Sequence, residues 1–170
     1  MIAAYADPPY LGQGKKHYSA HHPEAAVWDS LDAHRDLIEQ LGTYDAWALS
    51  ASTPSLRVLL PMCPEDARVA AWVKPFASFK PNVNPAYAWE PVIFRTTRKR
   101  SREELTVRDW VSASITLQRG LTGVKPPQFC HWLFDLLGLQ PGDEFHDLFP
   151  GSGAVTEAWE RRCLQTEAAL

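Results

Sequence analysis

The stretch Asp7-Pro8-Pro9-Tyr10 sets a carboxylate, two prolines and an aromatic ring side by side near the start of a 170-residue chain. The prolines stiffen the turn and have no N–H to donate, so the Pro8 carbonyl and the Asp7 carboxylate stand as fixed hydrogen-bond acceptors. Two acceptors beside an aromatic ring match an exocyclic amine on a flat heterocycle. A second stretch, DLFPGSGAV from Asp147 to Val155, spaces two glycines across what reads as a strand-to-helix turn. Glycine suits such a turn because the backbone takes positive φ and can approach a ligand that a Cβ would strike. The Gly-Lys-Ser/Thr ending of a phosphate-binding Walker loop is absent from it.

Both stretches need elements that bring them to one cleft. Residues 2–6 read as a buried strand ending at Asp7, and 145–149 as a strand leading into the glycines. Open α/β sheets bind ligands beyond the carboxyl ends of their strands, so two such turns on adjacent strands face one crevice. Residues 11–22 read as a loop. Pro23-Glu24 opens a helix in which Val27, Leu31, His34, Ile38 and Leu41 recur at helical spacing until Gly42. A strand follows at 46–50, then a short helix to about Leu60 with Thr53 as cap and Pro54 at the first helical position. Strands are predicted at 68–74 and 86–94, with a proline-rich loop between them. Residues 95–124 carry no clear period. Lys125-Pro126-Pro127 opens a helix whose Phe129, Trp132, Leu133, Leu136 and Leu137 form one apolar face, and a last helix carries Val155, Trp159 and Cys163. Strands alternating with helices predict an α/β fold with a mostly parallel sheet covered on both faces.

A hydrophobic content of 45% over this length fits one domain spanning residues 1–170. The apolar opening, Met1 to Tyr5, is too short for a signal peptide or a membrane span and predicts a cytoplasmic protein with no membrane partner. Cys63, Cys130 and Cys163 are widely spaced and form no Cys-x-x-Cys pair, which predicts reduced thiols and no metal site. The net charge of −3 argues against coating nucleic acid by bulk electrostatics. Charge is uneven, however. Arg95, Arg98, Lys99, Arg100 and Arg102 form a dense run, and Lys15 and Lys16 a smaller one after Tyr10. Such runs are either solvated loops or phosphate-neutralising surfaces.

Asp7-Pro8-Pro9-Tyr10 resembles the D/N/S-P-P-Y/F/W motif of amino-group nucleic-acid methyltransferases, and Asp147, Phe149, Gly151, Ser152 and Gly153 resemble their S-adenosylmethionine (SAM) motif. The order of the two motifs is similar to that of the circularly permuted members, including the bacterial adenine-N6 enzymes and the MT-A70 group. AWVK at 71–74, WEPV at 89–92 and Lys125-Pro126 resemble further segments of that group. The resemblance implies a Rossmann-like SAM-dependent methyltransferase sheet, permuted and minimal, without the strands that usually follow the SAM motif. It implies SAM as cofactor, held by Asp147, Phe149, Gly151, Ser152 and Gly153 with Lys125 and Lys74, and no metal. Asp7 and the Pro8 carbonyl would accept the hydrogens of an adenine N6 while Tyr10 stacks on the base, with Pro9 stiffening the turn. A duplex target would have to be flipped out. Asp before Pro-Pro favours adenine-N6 over cytosine-N4; an RNA target or a catalytically silent partner subunit are the alternatives. Residues 95–124 fall where such enzymes insert target-recognition elements, so Arg98, Lys99 and Arg100, with Lys15 and Lys16, are the expected DNA contacts. So few charges predict weak intrinsic affinity, helped by a homodimer or a DNA-bound partner subunit.

Overall fold

The computed structural model describes residues 1–14, 23–75, 82–115 and 124–167. Its centre is β1 (Ile2–Ala6), whose small and aromatic residues are buried on both faces. Strand β2 (Ala46–Ser50) runs parallel to β1 on one side and β6 (Glu144–Asp147) runs parallel to it on the other. Beyond β2 come β4 (Trp89–Thr96), β3 (Arg68–Val73) and the short edge strand β5 (Trp110–Ser112), giving the order β5-β3-β4-β2-β1-β6.

The sheet is mixed rather than mostly parallel. Strand β4 is antiparallel to both β2 and β3, while β1–β2, β1–β6 and β3–β5 are parallel. A parallel neighbour needs a long crossover, usually through a helix. No helix is described between β3 and β4, and β4 pairs antiparallel with β3. The reversal sends the start of β4, rather than its end, to the edge where β1, β2, β3 and β6 finish.

Among the described residues, four α-helices cover the sheet. On one face α3 (Pro127–Leu137) and α4 (Ala154–Glu167) pack against Ala3, Tyr5, Ala46, Ala48 and Trp72. On the other, α1 (Leu31–Leu41) and the single-turn α2 (Leu56–Leu59) pack against Ala4, Ala6, Trp47 and Leu49. The period-2 alternation of β1 and β2 feeds both cores, as expected of strands buried on both sides. All five apolar positions expected on the face of α3 are buried. Its end is set by Gly138 at φ 73°, a left-handed cap.

The expected helix from Pro23 is instead a 3₁₀ turn over Pro23–Asp29, followed by a fresh start at Ser30, whose hydroxyl accepts the Asp32 N–H at 3.1 Å. That cap resets the helical phase. Val27 and Leu31 are consequently exposed, and only His34, Ile38 and Leu41 of the expected stripe are buried. Likewise Ser52, not Thr53, caps the next turn. Strand β4 starts three residues later than expected, and β6 ends at Asp147 rather than Phe149. No described helix is long and apolar enough to cross a membrane.

Candidate active site

The two motifs meet as the sheet order requires. The Leu148 N–H donates to the Tyr5 carbonyl at 2.9 Å, so the glycine turn and the D-P-P-Y turn leave the sheet next to each other. Just beyond β1, Asp7 Oδ2 lies 2.8 Å from Lys125 Nζ. Lys125 is 6% exposed and sits at the start of α3, its ammonium 5.3 Å from the Trp72 ring and 5.6 Å from the Phe129 ring. The other carboxylate oxygen, Asp7 Oδ1, is buried and has no hydrogen-bond partner among the described residues. A buried acceptor left unmatched is costly, which makes it a place where a ligand's donor gains most.

Tyr10 is held from the opposite wall. Its hydroxyl donates to Glu90 Oε2 at 2.9 Å, and Lys74 pairs with Glu90 Oε1. Glu90 is the second residue of β4, so the reversal of that strand is what delivers a carboxylate here. Lys74, just past β3, also lies 4.7 Å from the Trp72 ring. Burial alone would raise the Glu90 carboxyl, but the Lys125 and Lys74 charges, with hydrogen bonds from Lys74 and Tyr10, hold it below the usual carboxylate range. The Tyr10 phenol is pushed well up, first by burial and then by the charges of Asp7 and Glu90, so it remains a donor at neutral pH. Deeper in, Tyr5 Oη and Ser50 Oγ are hydrogen-bonded at 2.8 Å.

At the end of β6, Asp147 accepts from Thr156 Oγ1 at 3.1 Å and from the Phe149 N–H at 3.3 Å. Burial raises its carboxyl above the usual range, the Asp7 charge adds to this, and those hydrogen bonds offset it only in part. Gly151 and Gly153 take φ of 48° and 78°, so the turn is one that L side chains rarely adopt. Ser152 Oγ accepts the Ala154 N–H at 3.4 Å at the start of α4. The Phe149 ring packs edge-on against Trp28 at 5.0 Å. A cavity of about 390 Å³ opens between α3 and α4, lined in part by Lys125, Pro127, Cys130, Ala154 and Glu157. Burial pushes the Cys130 thiol up to about 11, so it is an inert member of that wall.

Asp7, Tyr10, Lys74, Lys125 and Asp147 therefore share one electrostatically coupled cleft. The basic run does not join them. Arg98 donates to both oxygens of Asp143, at 2.6 and 2.9 Å, and to the Gly138 carbonyl at 2.7 Å. Asp143 also accepts from the Met1 ammonium at 2.8 Å, which places this cluster at the start of β1, the opposite end of the sheet from Asp7. Arg95 pairs with Asp66. Lys99 and Arg100 follow Arg98 at that same end, whereas Lys15, Lys16 and residues 116–123 of the expected insertion lie outside the described residues. Two contributors escaped the sequence reading. Glu90 and Trp72 stood in noted segments but had no role there: Glu90 pairs with Tyr10, and Trp72 is buried and lies against both lysines.

Sheet order and helical layers together make a mixed α/β fold, with the cleft at the carboxyl ends of β1 and β6. Among solved structures, the chain is similar to the crystal structure of an M1.HpyAVI–SAM complex, with a TM-score of 0.62 and 16% identity over 94% of this chain and 78% of that one. A second M1.HpyAVI crystal structure gives 0.59 and 12%, covering 96% and 76%. At these identities the likeness is one of fold. No protein-family profile and no curated protein matches the sequence.

Proposed function

We propose that the protein is a SAM-dependent methyltransferase acting on the N6 amino group of adenine in DNA. The observation that carries this reading is Asp7 Oδ1, a buried acceptor with no partner among the described residues, at the mouth of a stiff Pro-Pro turn beside Tyr10. An adenine N6 lone pair is delocalised into its ring and is a poor nucleophile. Acceptors at Asp7 and the Pro8 carbonyl would bind its two hydrogens and favour the positive charge that develops as the C–N bond forms. Tyr10, fixed by Glu90, would stack on the base and exclude water.

The residues fit the cofactor. A Cβ built on Gly153 meets only Glu157 Oε1, at 3.8 Å, and one on Gly151 only the Phe149 carbonyl, at 3.8 Å, so the positive-φ turn borders open space rather than packed protein. Asp147, Phe149, Gly151, Ser152 and Gly153 would hold SAM, with Lys74 at the rim; when bound, SAM would supply an electrophilic methyl on a sulfonium, whose sulfur leaves as a neutral thioether. The chain's own residues orient the amine, accept its hydrogens and keep the base in the cleft, and flipping the target adenine out of the duplex gives it access.

Transfer of tritiated methyl from SAM to unmethylated DNA, followed by nucleoside analysis, tests the reading. Wild type should yield N6-methyladenine, and Asp7→Ala should fall by at least about 100-fold, the scale of losing one preorganised hydrogen-bond partner. No label above the Asp7→Ala control would refute it, and label on cytosine or on RNA would move it to that substrate.

A further inference from the structure

We propose that Lys125 is a positioning residue for Asp7, locking its carboxylate in one orientation so that Oδ1 alone meets the target amine. The inference rests on the methyltransferase reading above and assigns Lys125 to the nucleophile's side of the cleft rather than to a cofactor carboxylate. Three observations carry it. Lys125 Nζ touches Asp7 Oδ2 at 2.8 Å while Oδ1 stays unmatched and buried, so the two oxygens of one carboxylate are already differentiated. The ammonium is 6% exposed and seated near the Trp72 and Phe129 rings, so it cannot swing away without leaving an aromatic pocket. Finally, Asp7, Glu90 and Asp147 gather around this one buried cation, whose field reaches both Glu90 and Asp147.

The chemical consequence follows from that crowding. Without Lys125, Asp7 would lose the partner of its Oδ2 beside the Asp147 carboxylate and could rotate either oxygen toward the base. An acceptor misplaced by about 1 Å costs on the order of 100-fold in rate. Charge at Oδ2 also leaves Oδ1 free to strengthen its bond as the amine becomes cationic, an interaction larger in the transition state than in the ground state.

The test compares wild type, Lys125→Met and Lys125→Arg in methyl-transfer kinetics on DNA, with calorimetric SAM affinity and thermal unfolding for each. Lys125→Met should lower kcat at saturating SAM by about 100-fold with SAM affinity within about 2-fold of wild type, and Lys125→Arg should recover about 10-fold of that loss. In an Asp7→Asn background the Lys125→Met change should lower kcat far less than in the wild-type background, because its effect on methyl transfer runs through Asp7. Full kcat at saturating SAM with weakened SAM binding would overturn the proposal and make Lys125 a cofactor contact; wild-type behaviour of Lys125→Met would overturn it too. Should Lys125→Met not fold, Lys125→Arg carries the same split of kcat from SAM affinity. An inactive wild type would instead remove the methyltransferase reading, and this proposal with it.

Discussion

Asp147 shows how function and stability pull apart at a single carboxylate. Burial, with the Asp7 charge, raises it above the usual range, so it stabilises the fold most when protonated. That contribution is full below the ordinary aspartate value of about 3.9 and is lost as pH rises through the raised folded value. At pH 7 the ionised group is therefore a net burden on the fold. Asp147→Asn, which keeps an acceptor for Thr156, should raise the urea midpoint at pH 7 and flatten its pH dependence just above pH 4, while calorimetry shows weaker SAM binding. A lower midpoint at pH 7 would mean the Thr156 and Phe149 hydrogen bonds outweigh the burial term. Glu90 has the opposite sign. Its depressed value stabilises the fold above about 4.3 and is lost as pH falls through the folded value.

Among the elements, the glycine turn was the easiest to read and β4 the hardest. A turn with two positive-φ glycines announces itself by residue type, because few other residues tolerate that backbone. Gly153→Val should cost about 1–2 kcal/mol of stability from its φ of 78° alone, since the space around it is open. It should also abolish SAM binding by filling the turn's ligand face; unchanged calorimetric affinity in a folded variant would take the turn out of the site. The direction of β4 left no such mark, because Trp89 to Thr96 reads equally well either way up. Its antiparallel pairing with both β2 and β3 is what brings Glu90 opposite Tyr10. Helix α3 was legible throughout because its apolar face is continuous, whereas the start of α1 was misplaced because Ser30 caps it inside an apparently regular stripe, of which His34, Ile38 and Leu41 are buried as expected.

At the scale of the molecule the sheet has two charged ends. One is the cleft; the other joins Arg98, Asp143, the Met1 ammonium and the cap of α3. Asp143 is buried, but the Arg98 and ammonium hydrogen bonds overcome that burial and hold its carboxyl well below the usual range. Its stabilisation is complete above about pH 3.9 and disappears as pH falls toward the folded value. Asp143→Asn should lower the thermal midpoint at pH 7 and make stability less sensitive to acid below pH 4, whereas an unchanged acid limb would place that sensitivity elsewhere. For nucleic acid, Lys99→Gln/Arg100→Gln tests the basic run without disturbing Arg98. If both residues contact phosphate, the slope of log affinity against log salt should drop by roughly 0.9 per contact; identical lines would mark the run as a feature of the far end of the sheet. The pairing of β1 with β6 has a further consequence, in time rather than space. A chain is made from its amino end, so β1 and D-P-P-Y leave the ribosome before every other strand named here, β6 included. Until β6 follows, that edge of β1 is an open ladder and the cleft has only one lip, so a nascent chain must carry the D-P-P-Y turn without its glycine counterpart while the strands between them are made.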